Sequence, residues 1–89
     1  MATSQHPYHL AQSAIANLKA AIHMILAAAP SEGLSNADIG RLLGIYMGHV
    51  KHEGHIPRTL LAIMESEGVT VQDGSTKKWR LRSAVDAAD

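Results

Sequence analysis

The sequence contains no cysteine and no phenylalanine, and its aromatic side chains are two tyrosines and one tryptophan. Without cysteine the chain forms no disulfide, and thiolate zinc sites and cysteine nucleophiles are excluded with it. The shortage of aromatic rings disfavours single-stranded nucleic-acid modules of the RRM or OB type, which stack bases on such rings. These absences exclude thiol-based functions and lower the priority of single-stranded nucleic acid as a ligand.

Long apolar runs and a secretory signal are also missing. The longest strongly apolar stretch, residues 20–29, is interrupted by His23 and is shorter than the about 20 residues that span a bilayer. The first seven residues contain no cationic segment followed by an apolar run, as a secretory signal requires. We therefore expect a soluble, cytoplasmic protein that does not enter a membrane.

Charge of either sign is not in excess, because eight Lys and Arg residues balance eight Asp and Glu residues. A nucleic-acid binder that acts through global positive charge is excluded. Residues 41–82 nevertheless carry seven basic and four acidic side chains, so contact with a polyanion has to come from a local patch.

The 89 residues allow one small domain with a thin core, which makes a stabilising partner plausible. We predict a flexible arm at residues 1–7, the domain at residues 8–82 and a small acidic tail at residues 83–89. No internal repeat divides the chain.

The first predicted helix, residues 8–29, has a wider apolar surface than a thin core buries. One stripe at helical spacing is expected to face the core; it consists of Ile15, Leu18, Ile22, Ile25, Leu26 and Ala29. A second apolar face lies about a third of a turn away and is the predicted homodimer interface. Its residues are Leu10, Ala14, Ala21, Met24 and Ala28.

Capping residues predict two further helices. Ser35 is a good N-cap with Asp38 three residues later, which predicts a short helix over residues 36–43. Pro57 suits the first position of a third helix, which is expected to run to residue 67. The side chains expected on its buried side are Ile56, Leu60, Ile63 and Met64, with Thr59 and Leu61 on the flanks.

The end of the chain predicts a β-hairpin with one apolar and one basic face. Apolar and polar residues alternate over residues 69–72 and 78–82, on either side of turn-forming residues 73–76. The residues expected to cover the helices are Val69, Val71, Trp79 and Leu81. The residues expected to face solvent or a ligand are Thr70, Gln72, Lys78, Arg80 and Arg82. The predicted fold is therefore mainly α (α+β), with three helices followed by a two-stranded hairpin.

This order of elements resembles the winged helix-turn-helix superfamily. Residues 34–45, LSNADIGRLLGI, are similar to the first helix and turn of the motif, and residues 56–69, IPRTLLAIMESEGV, are similar to a recognition helix leading into the wing. The resemblance covers most of residues 34–82. It departs from the family in the connection at residues 46–55, where the family uses a turn of about three or four residues.

The resemblance implies double-stranded DNA as the partner of a transcriptional regulator or DNA-targeting accessory protein. The third helix would enter the major groove, and the basic wing would hold the backbone. Arg58 suits a guanine contact and Ala62 a thymine methyl group. The predicted DNA-binding residues are Arg58, Thr59, Ala62, Lys51, His55, Lys77, Lys78, Arg80 and Arg82. Each prediction has a purely structural alternative. Arg58 could be an ordinary solvated arginine paired with Glu65, and the basic residues of the wing could belong to an edge strand whose charges prevent aggregation.

Two other functions stay open. Zero net charge and the apolar first helix also fit a winged-helix protein-interaction module without nucleic-acid binding. His49, His52 and His55 recur every three residues, with Glu53 among them. Imidazoles and a carboxylate can bind zinc or nickel. Such a site would make the protein a metal-responsive winged-helix regulator. Gly54 interrupts regular helical spacing there, so we predict no cofactor. No acid, base and nucleophile set is apparent, and we do not expect an enzyme or a small-molecule substrate.

Overall fold

The computed structural model describes residues 5–45, 54–83 and 86. Three helices precede a two-stranded antiparallel hairpin in these residues, which confirms the predicted mainly helical order with a hairpin at the end. The elements are α1 (His6–Ala27), α2 (Asn36–Leu43), α3 (His55–Ser66), β1 (Thr70–Gln72) and β2 (Trp79–Leu81).

The bounds of α2 agree with the prediction because its start is stabilised by neighbouring residues. The Asp38 backbone N–H donates to the Ser35 hydroxyl oxygen at 3.0 Å, and the Ser35 N–H donates to the Asp38 carboxylate at 3.1 Å. These two bonds satisfy donors that the first turn leaves without helical partners. The pKa of Asp38 is lowered, first by the backbone hydrogen bond from Ser35 and then by the hydrogen bond from the Ser35 side chain. At the other end, Gly44 adopts a left-handed φ of 68°.

The starts of α1 and α3 differ from the prediction in the same way. Both helices begin two residues earlier than expected, so Pro7 lies inside the first turn rather than ahead of it, and Pro57 is the third residue of its helix rather than the first. Proline is accepted there because the N–H groups of the first turn have no helical acceptor in any case. α1 also ends at Ala27 rather than at residue 29.

The core is formed by all three helices and β2. Its buried residues are Ile22, Leu26, Ile39, Leu60, Leu61, Met64 and Trp79. The predicted core stripe of α1 is confirmed at Ile22 and Leu26, with its other leucine and isoleucine residues packed around them.

The predicted buried side of α3 was wrong by part of a turn. Leu61, expected on a flank, is completely buried, whereas Ile56 and Ile63 are 37% and 38% exposed. Pro57 and Leu61 belong to the row of buried positions 57, 60, 61 and 64, which has the spacing of one helical face. This rotation follows because α3 packs against α1, α2 and β1 together.

The faces predicted for the first strand of the hairpin were wrong within β1, whereas Val69, just before β1, packs against the core as predicted. Thr70 pairs with Leu81, and Val71 pairs with Arg80. Cross-strand partners share a face, so Thr70 points inward with Leu81 while Val71 lies on the face of Arg80. Thr70 is buried, and its hydroxyl donates to the Leu61 carbonyl at 3.2 Å. A buried hydroxyl is tolerated because this bond satisfies it.

Trp79 attaches the hairpin to the helical part of the molecule. Its N–H donates to the Leu34 carbonyl at 2.7 Å, and the Leu34 N–H donates to the Trp79 carbonyl at 2.9 Å. The indole N–H donates to the Asn36 side-chain oxygen at 2.8 Å. β2 is therefore paired with β1 on one side and with Leu34, just before α2, on the other.

Gly33 makes this pairing possible because it has no side chain. Its φ is +87°, and a Cβ atom there would lie 2.1 Å from the Trp79 carbonyl oxygen. Gly68 has a similar φ of +81°, yet a Cβ atom there would meet nothing within 4 Å. Both glycines therefore provide a left-handed backbone, but only at Gly33 is the missing side chain also required by a close neighbour.

We predict that Gly33→Ala lowers the free energy of unfolding by about 3 kcal/mol, because strain and the clash with Trp79 add. The matched control, Gly68→Ala, carries only the left-handed strain and is expected to lose about 1 kcal/mol. Urea denaturation followed by tryptophan fluorescence measures both. Equal losses in the two variants would contradict a close approach at Gly33.

Candidate nucleic-acid interface

The outer face of α3 brings together three of the predicted DNA-binding residues. Arg58, Thr59 and Ala62 are all exposed, and their positions lie on the side of the helix opposite the buried row. No ion pair joins Arg58 to Glu65 within the described part of the chain. The Thr59 hydroxyl lies 3.5 Å from the His55 carbonyl, one turn earlier.

The loop of the hairpin, residues 73–78, is organised around the Asp73 carboxylate. One of its oxygens accepts hydrogen bonds from the Ser75 hydroxyl at 2.6 Å, the Ser75 N–H at 2.8 Å and the Thr76 N–H at 2.9 Å. These donors, the Ser75 hydroxyl first, hold the pKa of Asp73 well below its usual range. The Asp73 N–H donates to the Lys78 carbonyl at 2.9 Å and closes the loop. The carboxylate is therefore engaged in shaping the loop.

Lys77 occupies a strained position in this loop. Its φ is 64°, and it is the one non-glycine residue with positive φ in the part of the chain that the structure describes. Its N–H donates to the Asp73 carbonyl at 2.9 Å, so the loop holds this conformation in place. A left-handed backbone is unfavourable for an L-residue, and the hairpin therefore presents a lysine where glycine would be less strained.

Ion pairs divide the basic side chains into two groups. Lys19 is 2.7 Å from the Glu67 carboxylate, Arg41 is 2.9 Å from that of Asp38, and Arg80 is 2.7 Å from that of Asp86. The other lysines and arginines that the structure describes have no carboxylate partner among residues 5–45, 54–83 and 86. They are Arg58, Lys77, Lys78 and Arg82. All four belong to α3 or the hairpin, and all four are predicted DNA-binding residues.

Arg80 differs from Arg58, Lys77, Lys78 and Arg82 because its guanidinium group is already paired with a carboxylate. Its two terminal nitrogens lie 2.7 and 2.9 Å from the two carboxylate oxygens of Asp86. The Ser83 N–H and hydroxyl donate to the same carboxylate at 2.9 and 3.0 Å. These bonds, that of Arg80 first, hold the pKa of Asp86 well below its usual range.

Sequence reasoning missed Asp86 and Ser83, although a signal for them exists. Ser83 and Asp86 have the same three-residue spacing as Ser35 and Asp38, which identified the start of α2. The Asp86 N–H also lies 3.4 Å from the Ser83 hydroxyl oxygen, so the reciprocal bonding is the same in kind.

The histidine hypothesis falls largely on residues outside the structural description. His49, His52 and Lys51 lie in that part of the chain, whereas His55 is the exposed first residue of α3. The residues that are described contain no group of three or more metal-ligating side chains. The metal site therefore stays a prediction.

The outer face of α1 is apolar and mostly exposed. Met24 is 71% exposed and Leu10 is 58% exposed. Of the other predicted interface residues, Ala14 and Ala28 are exposed and Ala21 is half-buried.

By length and composition alone, α1 is also long and apolar enough to cross a bilayer. An 18-residue window of this helix has a mean hydropathy of 1.3, and 11% of that window is buried. Alanines and leucines before residue 20 extend the apolar helix almost to its start. The expectation that the chain does not enter a membrane stays a prediction.

The predicted DNA-binding residues that the structure describes thus form two groups, one on α3 and one on the hairpin. Comparisons with protein-family models, with curated proteins and with solved structures gave no match. The grouping of unpaired basic side chains is therefore the main basis for a function.

We predict that Lys77→Gly raises the free energy of unfolding by about 0.5 to 1 kcal/mol, because glycine removes the left-handed strain. The control is Lys78→Gly, which removes the same charge at the adjacent position. Because Lys78 has no positive φ, glycine relieves no strain there, and this variant is expected to be less stable than the unmodified protein. Urea denaturation of both variants provides the comparison. A loss of stability in Lys77→Gly as large as that in Lys78→Gly would contradict strain at Lys77.

Proposed function

We propose that the protein is a small, non-enzymatic winged helix-turn-helix protein that binds double-stranded DNA as a transcriptional regulator or DNA-targeting accessory. α3 faces the major groove, and the hairpin acts as the wing on the phosphate backbone. The supporting observation is that the basic residues left without a carboxylate partner in the described ranges, Arg58, Lys77, Lys78 and Arg82, all belong to these two elements.

The packing of α2 against α3 also supports this proposal. Gly54 precedes α3, and a Cβ atom there would lie 2.7 Å from the Asn36 Cβ atom and 3.1 Å from the Ala37 nitrogen. The two helices therefore approach closely at their starts, although the connection between them is longer than in the family that the sequence resembles. This approach places the first turn of α3, which includes Arg58, next to the start of α2.

The distribution of charge fits contacts of two kinds. A recognition helix reads base edges with residues near its N-terminus, and Arg58 and Thr59 are the fourth and fifth residues of α3. Lysine side chains on a flexible stem suit phosphate contacts that carry no sequence information. Lys77 and Lys78 at the hairpin loop are such groups.

We predict that Arg58→Ala relaxes sequence preference, whereas the double variant Lys77→Ala/Lys78→Ala weakens binding to all duplexes alike. Loss of two phosphate contacts is expected to reduce the slope of log affinity against log salt by about 1.8. Fluorescence anisotropy with random-sequence and selected duplexes at about 50 and 200 mM salt measures affinity and slope.

The control for this experiment is Lys19→Gln, which removes one positive charge that Glu67 already neutralises. It is expected to change affinity little. An equal loss in Lys19→Gln and in the hairpin variant, or no binding by the unmodified protein at either salt concentration, would contradict the proposed interface.

We further propose that the protein forms a homodimer through the outer face of α1, the surface defined by Leu10, Ala14, Ala21, Met24 and Ala28. Alanines allow two helices to approach closely, and the larger Leu10 and Met24 supply apolar area that the chain itself leaves exposed. Exposed apolar patches of this kind favour association. The same face supports the alternative function, a protein-interaction module without DNA.

Met24→Glu is expected to shift the dimer to monomer without unfolding the chain, because Met24 is 71% exposed. Leu42→Glu is the matched control, since Leu42 is 63% exposed on α2. Sedimentation equilibrium measures the molecular mass of each variant. A monomeric unmodified protein, or one that floats with phosphatidylcholine vesicles through α1, would contradict the dimer.

A further inference from the structure

We propose that Arg80 and Ser83 form a phosphate-binding site on the wing, and that the Asp86 carboxylate occupies this site in the absence of a ligand. Four donors converge on that carboxylate: two guanidinium nitrogens of Arg80 and the N–H and hydroxyl of Ser83, at 2.7 to 3.0 Å. We call these two residues the Arg80–Ser83 site.

The chemistry of the Arg80–Ser83 site suits phosphate as well as carboxylate. The planar guanidinium group binds two oxygens of either anion in the same fork geometry. Backbone N–H and serine hydroxyl groups are common donors to phosphate oxygens. The two oxygens of a carboxylate and two oxygens along one edge of a phosphate therefore present similar acceptors to these donors.

The position of Arg80 on the wing explains why a phosphate would reach it. Alternate residues of a strand lie on one face, and Lys78, Arg80 and Arg82 occupy alternate positions along and beside β2. Lys78 and Arg82 have no carboxylate partner in the described ranges, so Asp86 neutralises the middle one of three cations. Arg82 makes a single long contact of 3.4 Å with the Asp86 carbonyl.

The pair is also open enough to exchange its anion. The side chains of Arg80 and Asp86 are 43% and 22% exposed, and an ion pair at such a position contributes little stability. A phosphate of the DNA backbone would have to displace the Asp86 carboxylate. Asp86 therefore acts as an internal competitor that weakens the binding of phosphate. That it also weakens the binding of DNA rests on the proposed function.

The first test uses inorganic phosphate and does not depend on DNA binding. Titration is followed through the Arg80 side-chain N–H signal in ¹H–¹⁵N spectra of the unmodified protein and of Asp86→Asn. We expect Asp86→Asn to bind phosphate about 1.5- to fivefold more tightly, the range of one exposed ion pair. Glu67→Gln is the control, because it removes a carboxylate of the same charge from the Lys19 ion pair.

The second test uses random-sequence duplex DNA. Asp86→Asn is expected to bind more tightly and to steepen the salt slope by about 0.9, the value for one added phosphate contact. Glu67→Gln should do neither. Arg80→Ala should weaken the Asp86→Asn protein more than the unmodified protein, because no carboxylate competes for the guanidinium group in the former.

The outcomes separate this site from the proposed function. Phosphate binding at Arg80 in Asp86→Asn, with no DNA binding by any variant, would support the site and overturn the DNA function. DNA binding by all variants, with Asp86→Asn no different from Glu67→Gln in either test, would overturn the site alone. Asp86→Ala serves as a second variant, and circular dichroism of each protein verifies that it is folded.

Discussion

The pairing of Trp79 with Leu34 is the interaction on which the arrangement of this small protein depends. Two backbone hydrogen bonds and one from the indole to Asn36 attach the hairpin to the start of α2. The buried indole also belongs to the core that α1, α2 and α3 share. A hairpin of two three-residue strands is not stable alone, so its position relative to α3 is determined by this attachment. Gly33 permits it by leaving space for the Trp79 carbonyl.

Elements whose stabilising contacts are local were predictable from the sequence. The start of α2 is one, because Ser35 and Asp38 satisfy each other within a single turn. The inward face of β1 was not predictable in this way. Three residues offer too little alternation to define a face, and the orientation follows from remote partners: the Leu61 carbonyl binds the Thr70 hydroxyl, and β2 fixes the register.

In the candidate site too, the sequence predicted the residue types but not the partners of their side chains. The sequence identified the basic residues of α3 and the hairpin by type and position. It did not predict which of them are neutralised, because Arg80 is paired with a residue six positions later. Lys19 is paired with Glu67, 48 positions away. Such pairs depend on how the hairpin and the helices pack, and periodicity contains no information about them.

The ion pairs also reconcile a net charge of zero with the proposed local site for a polyanion. Pairing neutralises Lys19 on α1 and Arg41 on α2, while Arg58 and the hairpin lysines keep their charge. A molecule without net charge exerts little long-range attraction, and salt screens exposed charges beyond about 8 to 10 Å. Binding to a polyanion would therefore depend on contacts made after the surfaces meet. In such a complex, a carboxylate that stays paired with a basic side chain would lower the affinity, and one that leaves its partner would raise it. Asp86, which is paired with Arg80, is a carboxylate of this kind.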